Sequence, residues 1–173
     1  MFADPVKILK QLDLREHMIV ADLGAGTGFY SIGAGHIVTG GKVYAIEVNK
    51  DYLTTIANKI KETHLKNVDI ILGDIEKRGG TKLGENVVDA VIASNVLFQV
   101  EDKQGFINEI KRVLKAKGKV LLVDHDSDVL SGRDKSRFVS KEKALSIFVE
   151  QGFVLERYID AGDHHYGMIL SKL

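Results

Sequence analysis

"VADLGAGTGFYSIGAGHIV", Val20 to Val38, decides the fold. An apolar run ends in an acid, Gly24, Gly26 and Gly28 follow at every second position, and an amphipathic run begins at Phe29. A strand that enters a helix through a bare turn brings free helix N–H groups and uncovered backbone to one spot, which suits a polar ligand group. Gly24 and Gly26 are expected in unusual backbone angles with a ligand close by, and Gly28 is expected to let the helix lie near the sheet. A plain turn with no ligand is the bland alternative, and three alternating glycines at a strand–helix junction weigh against it.

Outward from this stretch, short apolar runs alternate with helical periodicity. Strands are expected at Met18–Leu23, Lys42–Val48, Val68–Leu72, Val88–Ala93, Lys119–Asp124, Phe153–Ile159 and Tyr166–Ser171. Helices are expected near Phe29–Val38, Lys50–Thr63, Lys103–Leu114 and Lys141–Gln151, with a short opening helix from Pro5 to about Leu12. Such alternation predicts an α/β fold, a doubly wound parallel sheet with helices on both faces. The last two strands are joined only by "DAGDHH", too short for a crossover helix, so they form a hairpin and the final strand runs against the rest. No linker, repeat or low-complexity segment interrupts residues 1–173, which read as a single domain.

Composition narrows the function classes. Lys plus Arg and Asp plus Glu both count 24, so net charge favours neither nucleic acid nor an anionic membrane. Lys111, Arg112, Lys115, Lys117 and Lys119 read as a solvated helix end and turn. The absence of cysteine excludes disulfides, thiolate metal sites and cysteine nucleophiles. The opening residues lack a signal-peptide pattern and no apolar run reaches membrane-spanning length, which predicts a soluble, cytoplasmic protein.

In an open parallel sheet, ligands bind outside the carboxyl ends of the strands. A dinucleotide fingerprint requires a third glycine where this chain has Phe29. An acid at Asp22 would repel a pyrophosphate but favour a positive charge. Asp22 therefore tips the reading toward a nucleoside ligand with a cationic tail and no phosphate. The second strand ends in "YAIEV", and its Glu47 is suited to ribose hydroxyls, although a loop-capping acid would look the same. The third strand ends in "ILGDIEK", where Asp74 is placed to accept from an adenine amino group and Ile75 to supply an apolar face.

These segments together resemble the class I S-adenosylmethionine-dependent methyltransferases, closest to the small ubiquinone/menaquinone-biosynthesis-type branch. "VADLGAGTGFYS" matches the cofactor loop, "YAIEV" the ribose-binding acid and "GDIEK" the adenine site; "VVDAVIASNVLFQV" and "EIKRVLKAKGKVLLVD" match the fourth-strand and fifth-strand segments. A Pro-Gly pair usual in the family is replaced by Ala116–Lys117–Gly118. The resemblance implies strand order 3-2-1-4-5-7-6 with strand 7 antiparallel, and S-adenosylmethionine as cofactor. It implies that Asp22, Gly24, Gly26 and Gly28 line the methionine and ribose portion, with Ala25, Val48 and Gly73 beside the cofactor. Glu47 then takes the ribose hydroxyls, Asp74 and Ile75 the adenine, and Ser94 and Asn95 sit near the sulfonium and the acceptor.

Methyl transfer from a sulfonium asks the protein mainly for alignment and exclusion of water, with a base only where the acceptor must lose a proton. Candidates come from topology: the fifth strand ends in "VDHDSD" and the hairpin turn reads "DAGDHHY", so His125, His164 and His165 are expected on one rim of the pocket. Solvated loop residues are the competing reading for all three. Asp124, His125, Asp126 and Asp128 match no calcium loop, and no resident metal is expected. The Asn/Asp-Pro-Pro-aromatic bend of base-methylating relatives is replaced by Ser94–Asn95–Val96–Leu97, and the thiolates of arsenic-methylating relatives are missing. What remains is O- or C-methylation of a small molecule, with a protein acceptor as the open alternative.

Segments that carry specificity in this family are short here, chiefly "HDSDVLSGRDKSRFV", which counts against a quinone acceptor and leaves the pocket open or completed by a second copy of the chain. Phe2, Phe29 and Tyr30 are expected as apolar walls, with helix-face packing the competing reading for Tyr30. Two other functions stay in play: a noncatalytic S-adenosylmethionine-binding module, and a nicotinamide-dependent oxidoreductase, which Phe29 and Asp22 oppose.

Overall fold

The computed structural model describes residues 4–126 and 137–173. Phe2, Asp128 and the rest of segment 127–136 lie outside the described residues. The elements run α1 (Pro5–Lys10), β1 (Ile19–Leu23), α2 (Phe29–Ile37), β2 (Lys42–Glu47), α3 (Lys50–Thr63), β3 (Val68–Leu72), β4 (Val88–Ser94), α4 (Lys103–Val113), β5 (Leu114–His125), α5 (Lys141–Glu150), β6 (Phe153–Ile159) and β7 (His165–Lys172). Seven strands form one sheet in the order β3-β2-β1-β4-β5-β7-β6. The five central and left-hand strands pair in parallel, and β7 runs antiparallel to both β5 and β6. Both the doubly wound architecture and the reversed strand agree with the sequence reading.

Alternation along each strand builds two core layers. Val20, Leu121 and Val123 pack on one face with Ile8 and Leu9 of α1, Ala34 of α2 and Ile56 of α3. Ala21, Val120 and Leu122 face the other way, against Phe106 and Ile110 of α4 and Phe148 of α5. Side-chain caps start the later helices: Asn49 accepts from Asp51 N, Asp102 from Gly105 N and Ser140 from Lys143 N. Every parallel strand therefore points its carboxyl end at the same edge.

Two details differ from expectation. β5 begins at Leu114, not Lys119: Val88 pairs with Leu114 and Ala90 with Lys119, so residues 115–118 loop out of the ladder with Lys117 left-handed at φ 61°. Nor is Arg112 a solvated helix end. Its guanidinium binds Glu109 at 2.7 and 2.8 Å and donates to the Leu83 carbonyl, while the buried Glu109 also accepts from Gly79 N and the Thr81 hydroxyl. Burial pushes the Glu109 carboxyl up, but Arg112 and the Thr81 and Gly79 donors outweigh it and hold it at about 2. This network pins residues 79–83 to α4.

Candidate functional site

A cavity of about 550 Å³ opens at the carboxyl edge, within the range of small-molecule sites. Its walls come from the glycine turn after β1, the ends of β2, β3 and β4, and Val123 and His165 at the β5–β7 end.

The three glycines turn out to do different things. A Cβ on Gly24 would stand 2.7 Å from Val96 Cγ2, and one on Gly28 2.9 Å from Ile56 Cγ1. The protein's own side chains fill those spaces, so Gly28 makes room for α3, not for the sheet. Gly26, at φ 53°, has nothing nearer than 4.0 Å, and it lines the cavity. Only there does the bare backbone face open space. Ala25 lines the cavity with it, whereas Gly28 does not.

Glu47 fastens this turn to the end of β2. Its Oε2 accepts from Gly26 N at 2.9 Å, and its Oε1 accepts from Val48 N at 2.8 Å and Asn49 N at 2.9 Å. A carboxylate offers about four lone-pair directions. One remains on Oε2, toward the cavity that Glu47 and the exposed Val48 both line. Gly73, which donates to the Glu47 carbonyl, needs to be glycine because the Gly80 carbonyl occupies its Cβ space.

Asp22 stands behind the turn, 2% exposed and outside the cavity wall. The Ser31 hydroxyl donates to it at 2.6 Å. Burial drives its carboxyl up to about 7, against the Ser31 hydrogen bonds, and Glu47 adds to the rise. It is an acid whose ionisation its burial opposes.

Asp74 does reach the cavity, but on the surface. Its carboxylate pairs with Lys77 Nζ at 2.9 Å and accepts from Glu76 N, and these contacts lower its pKa, Lys77 most. Ile75 lies deeper, its Cδ1 3.7 Å from where Gly24 would carry a Cβ. At the end of β4, Ser94 and Asn95 line the cavity. Asn95 is left-handed at φ 54°, and its Oδ1 is a buried acceptor with no hydrogen-bond partner among the described residues. Tyr30, read as an apolar wall, lines the cavity with its hydroxyl beside Ser94; burial raises its pKa.

The histidines separate. His165 opens β7 and lines the cavity. His125 is its ladder partner, ring centroids 4.4 Å apart, but stands one ring back from the cavity. His164 is exposed at the turn, left-handed at φ 68°, with its carbonyl accepting from Asp126 N. Strand alternation explains the split, since neighbours at the head of β7 face opposite ways. His165 Nδ1 lies 3.2 Å from the Asp163 carbonyl. A carbonyl can only accept, so a hydrogen bond here requires the proton on Nδ1. Sequence reasoning did not single out Phe98 and Phe138, whose stacked rings sit against His125. Neither has a local motif; only the folded sheet brings them together. Among the described residues, no group of three or more His, Asp or Glu is arranged to hold a metal ion, and no helix is long and apolar enough to cross a membrane.

Comparison with known proteins bears on this geometry. A family model described as a methyltransferase domain matches residues 14–155. The chain is 27% identical over 125 residues to a demethylmenaquinone methyltransferase of a Geobacillus species, covering 72% of this chain and 52% of that protein. It is 34% identical over 108 residues to the ubiquinone/menaquinone biosynthesis C-methyltransferase of Blochmanniella pennsylvanica, covering 61% of this chain and 41% of that one. The crystal structure of a SAM-dependent methyltransferase from Aquifex aeolicus superposes with a TM-score of 0.89 at 27% identity, over 99% of this chain and 91% of that one. The chain thus spans about half the length of the curated relatives it matches.

The residues present fit an adenosyl donor with a positive charge. Gly26 leaves open space at the turn, Glu47 keeps an acceptor direction, and the Asn95 Oδ1 acceptor has no donor among the described residues. With fold, cleft and family model in agreement, the chain belongs to the class I S-adenosylmethionine-dependent methyltransferases.

Proposed function

We propose that this chain methylates an oxygen or carbon atom of a small-molecule acceptor, with His165 as the base. The observation that carries this is one cavity with two chemically distinct ends: Gly26 and Glu47 at one, His165 with Tyr30 and Ser94 at the other. When bound, S-adenosylmethionine supplies a methyl carbon already activated by its sulfonium. Gly26, Glu47 and Ile75 hold the nucleoside portion, while Asn95 Oδ1 offers an acceptor to an ammonium or hydroxyl donor. Asp22 adds negative charge behind the turn once a cation favours its ionised form.

At the other end the chain's task is to orient and deprotonate. With Nδ1–H donated to the Asp163 carbonyl, His165 presents Nε2 as the lone pair that takes the proton from an acceptor hydroxyl. Tyr30 and Ser94 place hydroxyls beside that acceptor, and Val123 and Val100 give it apolar walls. An acceptor whose oxygen or carbon becomes nucleophilic on losing a proton suits this arrangement.

Calorimetry with S-adenosylhomocysteine and with NAD tests the cofactor half. Binding of the first alone is expected; binding of NAD alone overturns the reading. Incubation with methyl-labelled cofactor and a panel of hydroxylated and activated-carbon compounds tests the rest. Label is expected in an O- or C-methyl product, and His165→Ala should lower turnover by about 100-fold or more. Tight binding with no transfer to any compound supports a noncatalytic binding module instead.

A further inference from the structure

Asp124 closes β5, is 1% exposed, and takes no part in the roles assigned above. Its carboxylate is turned onto two backbone amides from different elements. Oδ1 accepts from His125 N at 2.7 Å, and Oδ2 accepts from Phe98 N at 3.3 Å, in the loop after β4. The two residues whose amides share this carboxylate also carry touching rings. Phe98 meets His125 edge-on at 5.3 Å and stacks on Phe138 at 5.1 Å. His125 in turn meets Phe138 at 5.7 Å and His165 at 4.4 Å. A row of four rings therefore runs from the Phe98 loop to the cavity, and one buried carboxylate anchors the backbone beneath two of them.

We propose that Asp124 is the positioning residue of the acceptor-side wall: by tying Phe98 N and His125 N together it sets the ring row that supports His165. The proposal rests on the methyltransferase reading for its consequence in turnover, but not for its geometry. The anchor is well protected. A buried acceptor that holds two amides from separate segments resists their separation, because each amide released would be left unsatisfied. The same loop carries Gln99 at the cavity, next to Phe98, while Asn95 is held separately by its amide to the Val123 carbonyl.

Other charged and titratable groups face Asp124 from the surrounding elements. Lys103 approaches from α4, while its amine donates to the Val100 carbonyl. Tyr166 faces it across the β5–β7 ladder, and Asp126 also acts on Tyr166. Burial raises the Asp124 carboxyl to about 6, against the His125, Phe98 and Leu97 amides and Lys103. An ionised carboxylate is the better acceptor for an amide, so the grip should weaken as pH falls through that value.

Amide NMR of labelled protein between about pH 5 and pH 8 tests the geometry without any acceptor. The Phe98 and His125 amide signals should move together with one midpoint near about 6. In Asp124→Asn that shared movement should vanish. Calorimetry should find S-adenosylhomocysteine bound within about twofold of wild type, and an acceptor found by the panel should show KM raised about tenfold with the cofactor KM unchanged. Independent midpoints, a movement that persists in Asp124→Asn, or a tenfold loss of S-adenosylhomocysteine affinity would overturn the proposal. Should the variant not fold, the wild-type titration decides alone. Wild-type protein that ignores S-adenosylhomocysteine but shows the shared midpoint defeats the methyltransferase reading and leaves the positioning role intact.

Discussion

The two ends of the cavity are built by opposite means. At the end proposed for the cofactor, Glu47 works on backbone: it binds the amides of Gly26, Val48 and Asn49, two of them its immediate successors. At the end proposed for the acceptor, Asp124 also binds amides, but those amides belong to residues in a row of side-chain rings drawn from β4–α4, β5, β7 and residue 138. A backbone cradle presents the same polar groups whatever side chains surround it, so it suits a ligand that never changes. A wall of rings changes shape with each substitution, so it suits a ligand that differs between relatives. Damage to the first end should appear as lost cofactor affinity, and damage to the second as lost acceptor recognition.

The largest effect expected at the cofactor end comes from charge. Asp22 has a folded pKa of about 7, above its ordinary 3.8. The folded state thus holds its proton more tightly, and the group's stability contribution is fully present below about pH 4 and lost as pH rises to about 7. Asp22→Asn keeps an acceptor for the Ser31 hydroxyl and removes the titration. Denaturation of the ligand-free protein at pH 8 should show the variant more stable, by at most about 4 kcal/mol, with no difference near pH 4. Affinity for S-adenosylmethionine should fall in the same variant, because ionised Asp22 would favour a positive ligand. Equal stability at pH 8 would mean that no acid is held in reserve behind the turn.

Next in size is a contrast between two glycines. Gly24→Ala adds a methyl 2.7 Å from Val96 Cγ2 at a left-handed position and should destabilise the fold by about 2–4 kcal/mol. Gly26→Ala meets open space, so thermal denaturation should show only about 1–2 kcal/mol from its backbone strain, while calorimetry shows at least a tenfold loss of cofactor affinity. If Gly24→Ala loses affinity and keeps stability, the division between packing glycine and ligand glycine is wrong.

These contrasts also show what was legible in the sequence. Strand order and the reversed β7 followed from alternation and from the shortness of "DAGDHH", because both are local facts about chain length and period. The acids at Glu47 and Asp74 were legible as positions, each closing a strand. Their partners were not: nothing local says that Glu47 is largely consumed by three amides, or that Lys77 covers Asp74. Gly28 and Ile56 are far apart in sequence, so the space that Gly28 leaves for α3 could not be seen. His125 and His165 could be brought to one rim by topology, but the ladder pairs them on one face, and only the folded cavity shows that His165 lines it with His125 behind. The Phe98–Phe138 stack required the whole fold.

Those hidden partners rank the next two substitutions. Glu47→Ala frees three amides and opens the turn, and should weaken S-adenosylhomocysteine binding by about 1–3 kcal/mol. Asp74→Ala removes a half-buried carboxylate already paired with Lys77, and calorimetry should register less than about 1 kcal/mol. Equal losses would return Asp74 to a direct role at the adenine.

The smallest effect belongs to the acceptor end and sharpens the difference most. Tyr166 is 4% exposed, and its hydroxyl is buried without a hydrogen-bond partner among the described residues. It sits in the ladder opposite Asp124, and burial together with Asp124 and Asp126 strongly disfavours its ionisation. An unsatisfied buried hydroxyl has lost its water without recovering a bond, so deleting it removes a cost along with a polar atom. Tyr166→Phe should therefore change stability by less than about 0.5 kcal/mol, toward greater stability. Its ring stays in place, so the Asp124 grip on Phe98 N and His125 N should persist in the amide titration, with a midpoint within about half a unit of wild type. A loss of about 1 kcal/mol or more would show that the hydroxyl is satisfied in solution, and the acceptor end would then rest on a polar network and not on rings held by one carboxylate.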